Sequence, residues 1–243
     1  MAVTIDRLRE SEEYEGIRRK ALDVHQSLVQ EYGEREWRPR RDATSTLVLT
    51  IMTQHTSDLN AERAFENLVD SLGTWEAVRD APVELIALAI KSAGLANIKS
   101  RRIKEVLQRI TELRGELSLD FLSSLANDEA KQWLTSLDGV GPKTAACVLL
   151  FALGKPAMPV DTHVYRVSKR IGLIGATSTV EAAHEILESI TPAENVYAFH
   201  VNLITHGRRI CKAQQPKCAQ CVVYRLCDNP VTLPRYRMQD GER

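Results

Sequence analysis

The chain has 243 residues, 44% of them hydrophobic and 26% charged, and its 32 basic side chains are balanced by 32 acidic ones. This is the composition of an ordinary globular protein of one large domain or two modest ones, and no apolar run approaches the about 20 residues of a membrane span. A net charge of zero argues neither for nor against nucleic acid, because a phosphate backbone responds to where positive charge sits.

The stretch from Met1 to Glu13 is acidic and lacks the basic-then-apolar order of a signal peptide. The expected location is therefore intracellular. Up to residue 41 the chain is charged (Arg18, Arg19, Lys20, Arg38, Arg40 and Arg41 among acids) and predicts a packed helix. Leu47 to Met52 is apolar almost all round and predicts a buried helix, which runs into Thr53-Gln54-His55. Further along, Ile103, Val106, Leu107 and Ile110 recur at helical spacing, with Lys99, Arg101, Arg102, Lys104 and Arg109 pointing elsewhere. Gly94-Leu95…Lys99 weakly echoes a later glycine motif.

That motif is Leu137-Asp138-Gly139-Val140-Gly141-Pro142-Lys143-Thr144-Ala145. A helix over 128–136 ends, the glycines turn the chain, and a second helix starts near Pro142, a favoured first helical residue. Glycines allow close backbone approach, and the N–H groups at a helix start form an anion site, so Gly139, Val140 and Gly141 read as a phosphate clamp. A plain helix–helix turn is the bland alternative. Lys143 lies in the first turn, where the positive helix end should lower its pKa and favour a nucleophilic neutral amine. Taken alone, its reading as a solvated phosphate-binding lysine prevails. Ala145 to Leu153 predicts a second buried helix, with Cys147 as a small core hydrophobe. Residues 154–159 read as a linker, and Asp161 follows at a helix start. An N-cap is the commonest job for such an aspartate, but a carboxylate there also suits stabilisation of an oxocarbenium-like transition state.

Ser178 with Glu181 predicts a capping box ahead of Val180, Ala183, Leu187 and Ile190. Val196, Phe199 and Leu203 form another stripe, with Gly207 as its expected stop. Strand signals are lacking, so the fold class is all-α. Four of the five cysteines crowd into Cys211-x6-Cys218-x2-Cys221-x5-Cys227, which points to a metal or cluster; four thiolates can hold zinc or a [4Fe–4S] cluster, and chemistry alone does not separate the two. Lys212 and Lys217 would project positive charge from this loop, with Arg208 and Arg209 just upstream.

Leu137 to Ala145, followed at the right distance by Val160-Asp161-Thr162-His163, resembles the helix-hairpin-helix, Gly/Pro-rich loop and aspartate of the endonuclease III superfamily. The resemblance covers roughly Thr44 to Cys227. It implies two helical lobes flanking a DNA cleft: a six-helix barrel over 42–154, and a cluster lobe over 155–243 with which the 1–41 segment packs. It makes Lys143 the nucleophile and Asp161 the catalytic carboxylate, since lysine at this position marks the bifunctional branch. The cysteine spacing matches the family's cluster loop, so Cys211, Cys218, Cys221 and Cys227 would hold [4Fe–4S] rather than zinc. Gln54 resembles the residue that fills the gap left by an extruded nucleotide, and Leu95 the wedge into the opposite strand. Their bland readings are a helix C-cap and a core contact. Met52, His55 and Ala96 depart from the family pattern at positions that would line the lesion pocket or its rim. The implied activity is excision of oxidised pyrimidines from duplex DNA by a monomer, followed by β-elimination at the abasic site. A monofunctional mismatch or uracil glycosylase is the alternative within the class, and a non-catalytic DNA-binding module with structural zinc is the alternative outside it.

Overall fold

In the computed structural model residues 12–229 are described, and every regular element among them is helical. The α-helices are α1 (Glu12–Tyr32), α2 (Ala43–Thr53), α3 (Asp58–Leu72), α4 (Trp75–Asp80), α5 (Val83–Ala89), α6 (Ala96–Arg114), α7 (Asn127–Thr135), α8 (Pro142–Cys147), α9 (Thr162–Ile171), α10 (Val180–Ile190) and α11 (Val196–Arg209). Most of the acidic stretch from Met1 to Glu13 lies outside the described residues. Among the described residues no helix is long and apolar enough to cross a membrane.

The chain divides into two compact units, one of them Trp37–Pro159. Its centre is α2, where all but Leu49 and Thr53 are buried. A helix this apolar must be packed on every side, and its hydroxyls must then find partners on their own helix. Thr46 donates to the Asp42 carbonyl at 2.9 Å and Thr50 to the Thr46 carbonyl at 2.7 Å. Asp42 caps the helix, accepting from the Ser45 N–H at 2.8 Å. Ala61, Ala64 and Leu68 of α3, Ile103, Val106, Leu107 and Ile110 of α6, and Leu134 of α7 build the core around it. The second buried helix is not regular throughout. After Cys147, which is buried as expected, α8 widens into a π-turn over Val148–Ala152.

The linker has no regular structure, yet it is fastened to this unit. Lys155 donates from its backbone to Leu149 at 2.9 Å and from Nζ to the Leu125 carbonyl at 2.6 Å. The Asn127 amide donates to Pro156 at 3.2 Å. Gly154, at φ 64°, leaves the space that the Trp37 ring fills 3.0 Å from where a Cβ would stand. These contacts put the unit's limits at Trp37 and Pro159, a few residues outside the 42–154 read from sequence.

The other unit joins the described residues up to Glu36 to those from Val160 onward. Val24 and Leu28 of α1, Val164 and Val167 of α9, Leu187 of α10, and Phe199 and Leu203 of α11 are buried there. His25 meets the Phe199 ring edge-on at 5.6 Å, and the Tyr14 hydroxyl donates to the Ser189 carbonyl at 2.7 Å.

Two local expectations are corrected. Thr179, not Ser178, caps α10, accepting from the Ala182 N–H at 3.1 Å; the Ser178 carbonyl instead accepts from the Tyr165 hydroxyl at 2.6 Å. Gly207 does not stop α11, which runs two residues further, to Arg209. It is buried against α9, where an added Cβ would lie 3.0 Å from His163 Cβ and 3.2 Å from a Val167 methyl. The glycine is there for close approach of two helices. Gly207→Val should therefore lower stability by about 1–3 kcal/mol, the usual cost of overpacking, read as a lower midpoint in chemical denaturation. An unchanged midpoint would show that α9 and α11 have slack the packing does not suggest.

Candidate functional site

The glycine turn begins where α7 ends at Ser136. Leu137 is buried, and the Val140 N–H donates to its carbonyl at 3.0 Å. Gly139 has φ 78°, a backbone that favours glycine, and the Arg102 side chain packs where its Cβ would be. Val140 is only 4% exposed, so of the three residues assigned to a clamp it is the one whose side chain serves the core. Gly141 is the N-cap of α8 and, having no side chain, offers its first-turn amides nothing. Pro142 is at the first helical position, as expected. Lys143 follows, half-buried.

Asp161 begins α9 in extended conformation, and its Oδ1 accepts from the Val164 N–H at 2.7 Å. The cap predicted for it is present. One turn on, Arg166 donates from Nε to the Cys211 carbonyl at 3.0 Å and from Nη2 to the Gly207 carbonyl at 2.9 Å. The same Nη2 lies 3.1 Å from His163 Nδ1. The helix that Asp161 opens is thus fastened to the start of the cysteine loop.

Cys211, Cys218, Cys221 and Cys227 line a single cavity, together with Arg170, His206 and Tyr224 among others. No disulfide joins them. Among the described residues no three His, Cys, Asp or Glu side chains are close enough to hold one metal ion. Burial, and then the neighbouring cysteines, push the Cys221 thiol up to about 11. Burial also raises Cys227, with Cys211 and Cys218 adding to it. Four thiolates here would repel one another unless positive charge sat among them.

Three residues that the sequence reading passed over organise this ring. Arg170 Nη1 lies 3.5 Å from Cys211 Sγ and donates to the Lys212 carbonyl at 2.7 Å, while Nη2 donates to the Ala213 carbonyl at 3.0 Å. His206 is buried, with Nε2 3.4 Å from Cys221 Sγ and Nδ1 3.0 Å from the Tyr32 hydroxyl. Burial holds His206 down to about 4, so the ring is neutral near pH 7. Burial, followed by Glu31 and Cys221, pushes Tyr32 up to about 12, so its phenol stays protonated and able to donate. The Tyr32 hydroxyl and the Cys221 sulfur thus hold the two ring nitrogens, one on each side. Nothing in the sequence ties Tyr32 to a loop so far along the chain.

Gln54 is half-buried and is the C-cap of α2, as its bland reading held. Leu95 is 54% exposed and is not a core contact. Met52 is sealed in the core rather than set at an open rim. Lys99, read as part of the outward basic face of α6, is only 3% exposed. Lys212 and Lys217 are both exposed on the cysteine loop, as are Arg208 and Arg209 before it.

The sequence matches the HhH-GPD superfamily of base excision DNA repair proteins over residues 48–193. It is 33% identical to an endonuclease III of Sulfolobus acidocaldarius, over 77% of this chain and 82% of that one. It is 34% identical to the endonuclease III of Thermotoga maritima, over 77% and 83%. Among solved structures, a trapped endonuclease III–DNA covalent intermediate with an estranged adenine superimposes with a TM-score of 0.75 at 28% identity, covering 87% of this chain and 95% of that one.

Arg170 holds the backbone of the loop between the first two cysteines, so Arg170→Met should loosen it. Trypsin should then cut after Lys212 faster than in the parent protein, with helical circular dichroism unchanged. Equal cleavage rates would mean that the guanidinium is not what orders the loop.

Proposed function

The chain belongs to the endonuclease III family, within the HhH-GPD superfamily of base excision DNA repair proteins, and we propose that it excises oxidised pyrimidines from duplex DNA and then cleaves the abasic site. The observation that carries this reading is a lysine in the first turn after the glycine hairpin, together with a helix-capping aspartate in the sequence order that the family pattern requires. A solved relative captured as a covalent DNA intermediate supports it, because such an intermediate needs a nucleophile. In this chain that nucleophile is Lys143.

The amine of Lys143 attacks C1′ of the damaged nucleotide. The N-glycosidic bond breaks, and the base leaves with the bonding electron pair and takes up a proton. Loss of the amine proton and opening of the sugar ring give an imine. Removal of a C2′ proton then expels the 3′ phosphate by β-elimination. Asp161 stabilises the positive charge that builds on the sugar. Its cap bond fixes one oxygen, and the other serves the chemistry. Gly139 and Gly141 hold a phosphate through backbone amides, Gln54 fills the gap left by the extruded nucleotide, and Leu95 enters the opposite strand. The protein acts as a monomer on DNA bearing a damaged base or an abasic site.

Four thiols that line one cavity, at the spacing of the family's cluster loop, fit a [4Fe–4S] cluster held by Cys211, Cys218, Cys221 and Cys227. When bound, the cluster supplies positive iron charge that offsets four thiolates and orders the loop carrying Lys212 and Lys217 toward a phosphate.

A hydride reductant added during turnover should trap a covalent protein–DNA adduct with the parent enzyme. Lys143→Gln should abolish both the adduct and strand cleavage while retaining DNA binding. Asp161→Asn keeps a capping oxygen and should fold normally, yet slow base release by about 10²-fold. Base release by the parent without any adduct would favour the monofunctional reading, and an undiminished Lys143→Gln lyase would remove Lys143 as nucleophile.

Protein purified without exposure to air should be yellow-brown and contain about four irons per chain. Stoichiometric zinc without iron would favour the structural-zinc reading of the cysteines.

A further inference from the structure

Lys99 is a buried ammonium for which the proposed chemistry has no use. It stands in the first turn of α6 and is 3% exposed. Among the described residues it has no carboxylate partner. Burial lowers its pKa, as it must for a charge withdrawn from water. Its Nζ donates instead to two backbone carbonyls, that of Met52 at 2.8 Å and that of Ala93 at 2.7 Å.

The two carbonyls have matching places. Met52 is in the last turn of α2, and Ala93 ends a short 3₁₀ turn over Lys91–Ala93. Carbonyls at helix ends carry partial negative charge and lack partners within the helix, so each suits a cation. Two residues beyond Met52 comes Gln54, and two residues beyond Ala93 comes Leu95. Each loop also holds a non-glycine residue in the left-handed region, His55 at φ 53° and Leu95 itself at φ 49°. Such backbone costs about 1–3 kcal/mol and persists only where its surroundings impose it. One ammonium therefore ties together the bases of two strained loops, and the tips of those loops are the two residues assigned to the interior of the duplex.

We propose that Lys99 is a positioning residue for nucleotide extrusion: it fixes the spacing between Gln54 and Leu95 so that both enter the duplex together. This rests on the roles given to Gln54 and Leu95 above. An ammonium suits the task because it has three donors, no acceptor and no preferred plane, and so can bridge carbonyls from two separate segments.

The test compares two substrates under single turnover: a duplex with a damaged base, which demands extrusion, and a single-stranded oligonucleotide with an abasic site, which does not. Lys99→Met keeps the length of the stem and removes all three donors. On the duplex it should slow base release by about tenfold to a hundredfold, the scale of a reacting group misplaced by about 1 Å. On the single strand it should cleave at close to the parent rate. A 2-aminopurine reporter beside the lesion should show correspondingly less unstacking. Equal losses on both substrates would overturn the proposal, because they would mean that Lys99 serves only the fold. Should Lys99→Met fail to fold, Lys99→Gln, whose amide keeps two donors, takes its place with the same two arms. Gln54→Ala and Leu95→Ala separate the layers of the argument. If they slow the duplex reaction and the Lys99 variant does not, the brace is wrong and the wedge reading stands. If neither slows it, the wedge reading fails and the proposal falls with it.

Discussion

A helix that is apolar on every face can be buried whole, but its last carbonyls cannot be left dry. An unsatisfied buried acceptor costs about 1–3 kcal/mol, and α2 ends inside the core of its unit. Lys99 supplies the donor that the end of α2 lacks, and in doing so fixes where α6 can start. The second carbonyl on the same ammonium brings in the turn ending at Ala93. One ammonium thus joins the end of α2 to the turn that precedes Leu95. A methionine could fill the same space, but it would leave both acceptors stranded.

The cysteine loop is held by the opposite means. From Cys211 to Cys227 only Val223 is buried, so apolar packing cannot order it. Backbone bonds do part of the work: the Lys217 N–H reaches Ile210 at 3.0 Å and the Asp228 N–H reaches Ile171 at 3.3 Å. Arg166 and Arg170 fasten loop carbonyls to α9, and His206 addresses a sulfur from α11. These groups surround a ring of thiols, and burial raises the pKa of Cys221 and Cys227, with the neighbouring cysteines adding to it.

How far the sequence discloses this depends on whether a feature is local. The cap at Asp161, the proline start of α8, the turn at Gly139 and the buried α2 rest on interactions within a few residues, and periodicity or residue type reveals them. The cysteine spacing is also a local pattern. Lys99 was hidden because a lysine among Arg101, Arg102 and Lys104 looks like one more member of a solvated face. Only the end of a helix 47 residues earlier makes it a core residue. Gly207 was hidden for a similar reason, since a glycine near a helix end signals a stop unless a second helix presses on it. Thr179 and Ser178 are adjacent candidates for one cap, and the Tyr165 hydroxyl, which takes the Ser178 carbonyl, sets them apart.

The starts of α8 and α9 answer the same electrostatic problem in contrary ways. Each exposes first-turn N–H groups at the positive end of a helix. Asp161 fills that position on α9 with its own carboxylate, so the helix start is satisfied internally and displays a placed negative charge. Gly141 leaves it unfilled on α8, with no side-chain cap and a proline that has no N–H to lose. An uncapped start in a glycine turn can take an anion from outside; a start capped by aspartate cannot. One helix start is therefore suited to a backbone phosphate and the other to a developing cation, which are the two charges that a sugar–phosphate chain presents while a base is leaving it. Exchanging Gly141 for aspartate would cap α8 more tightly and at the same time put a negative charge where the proposed phosphate would sit.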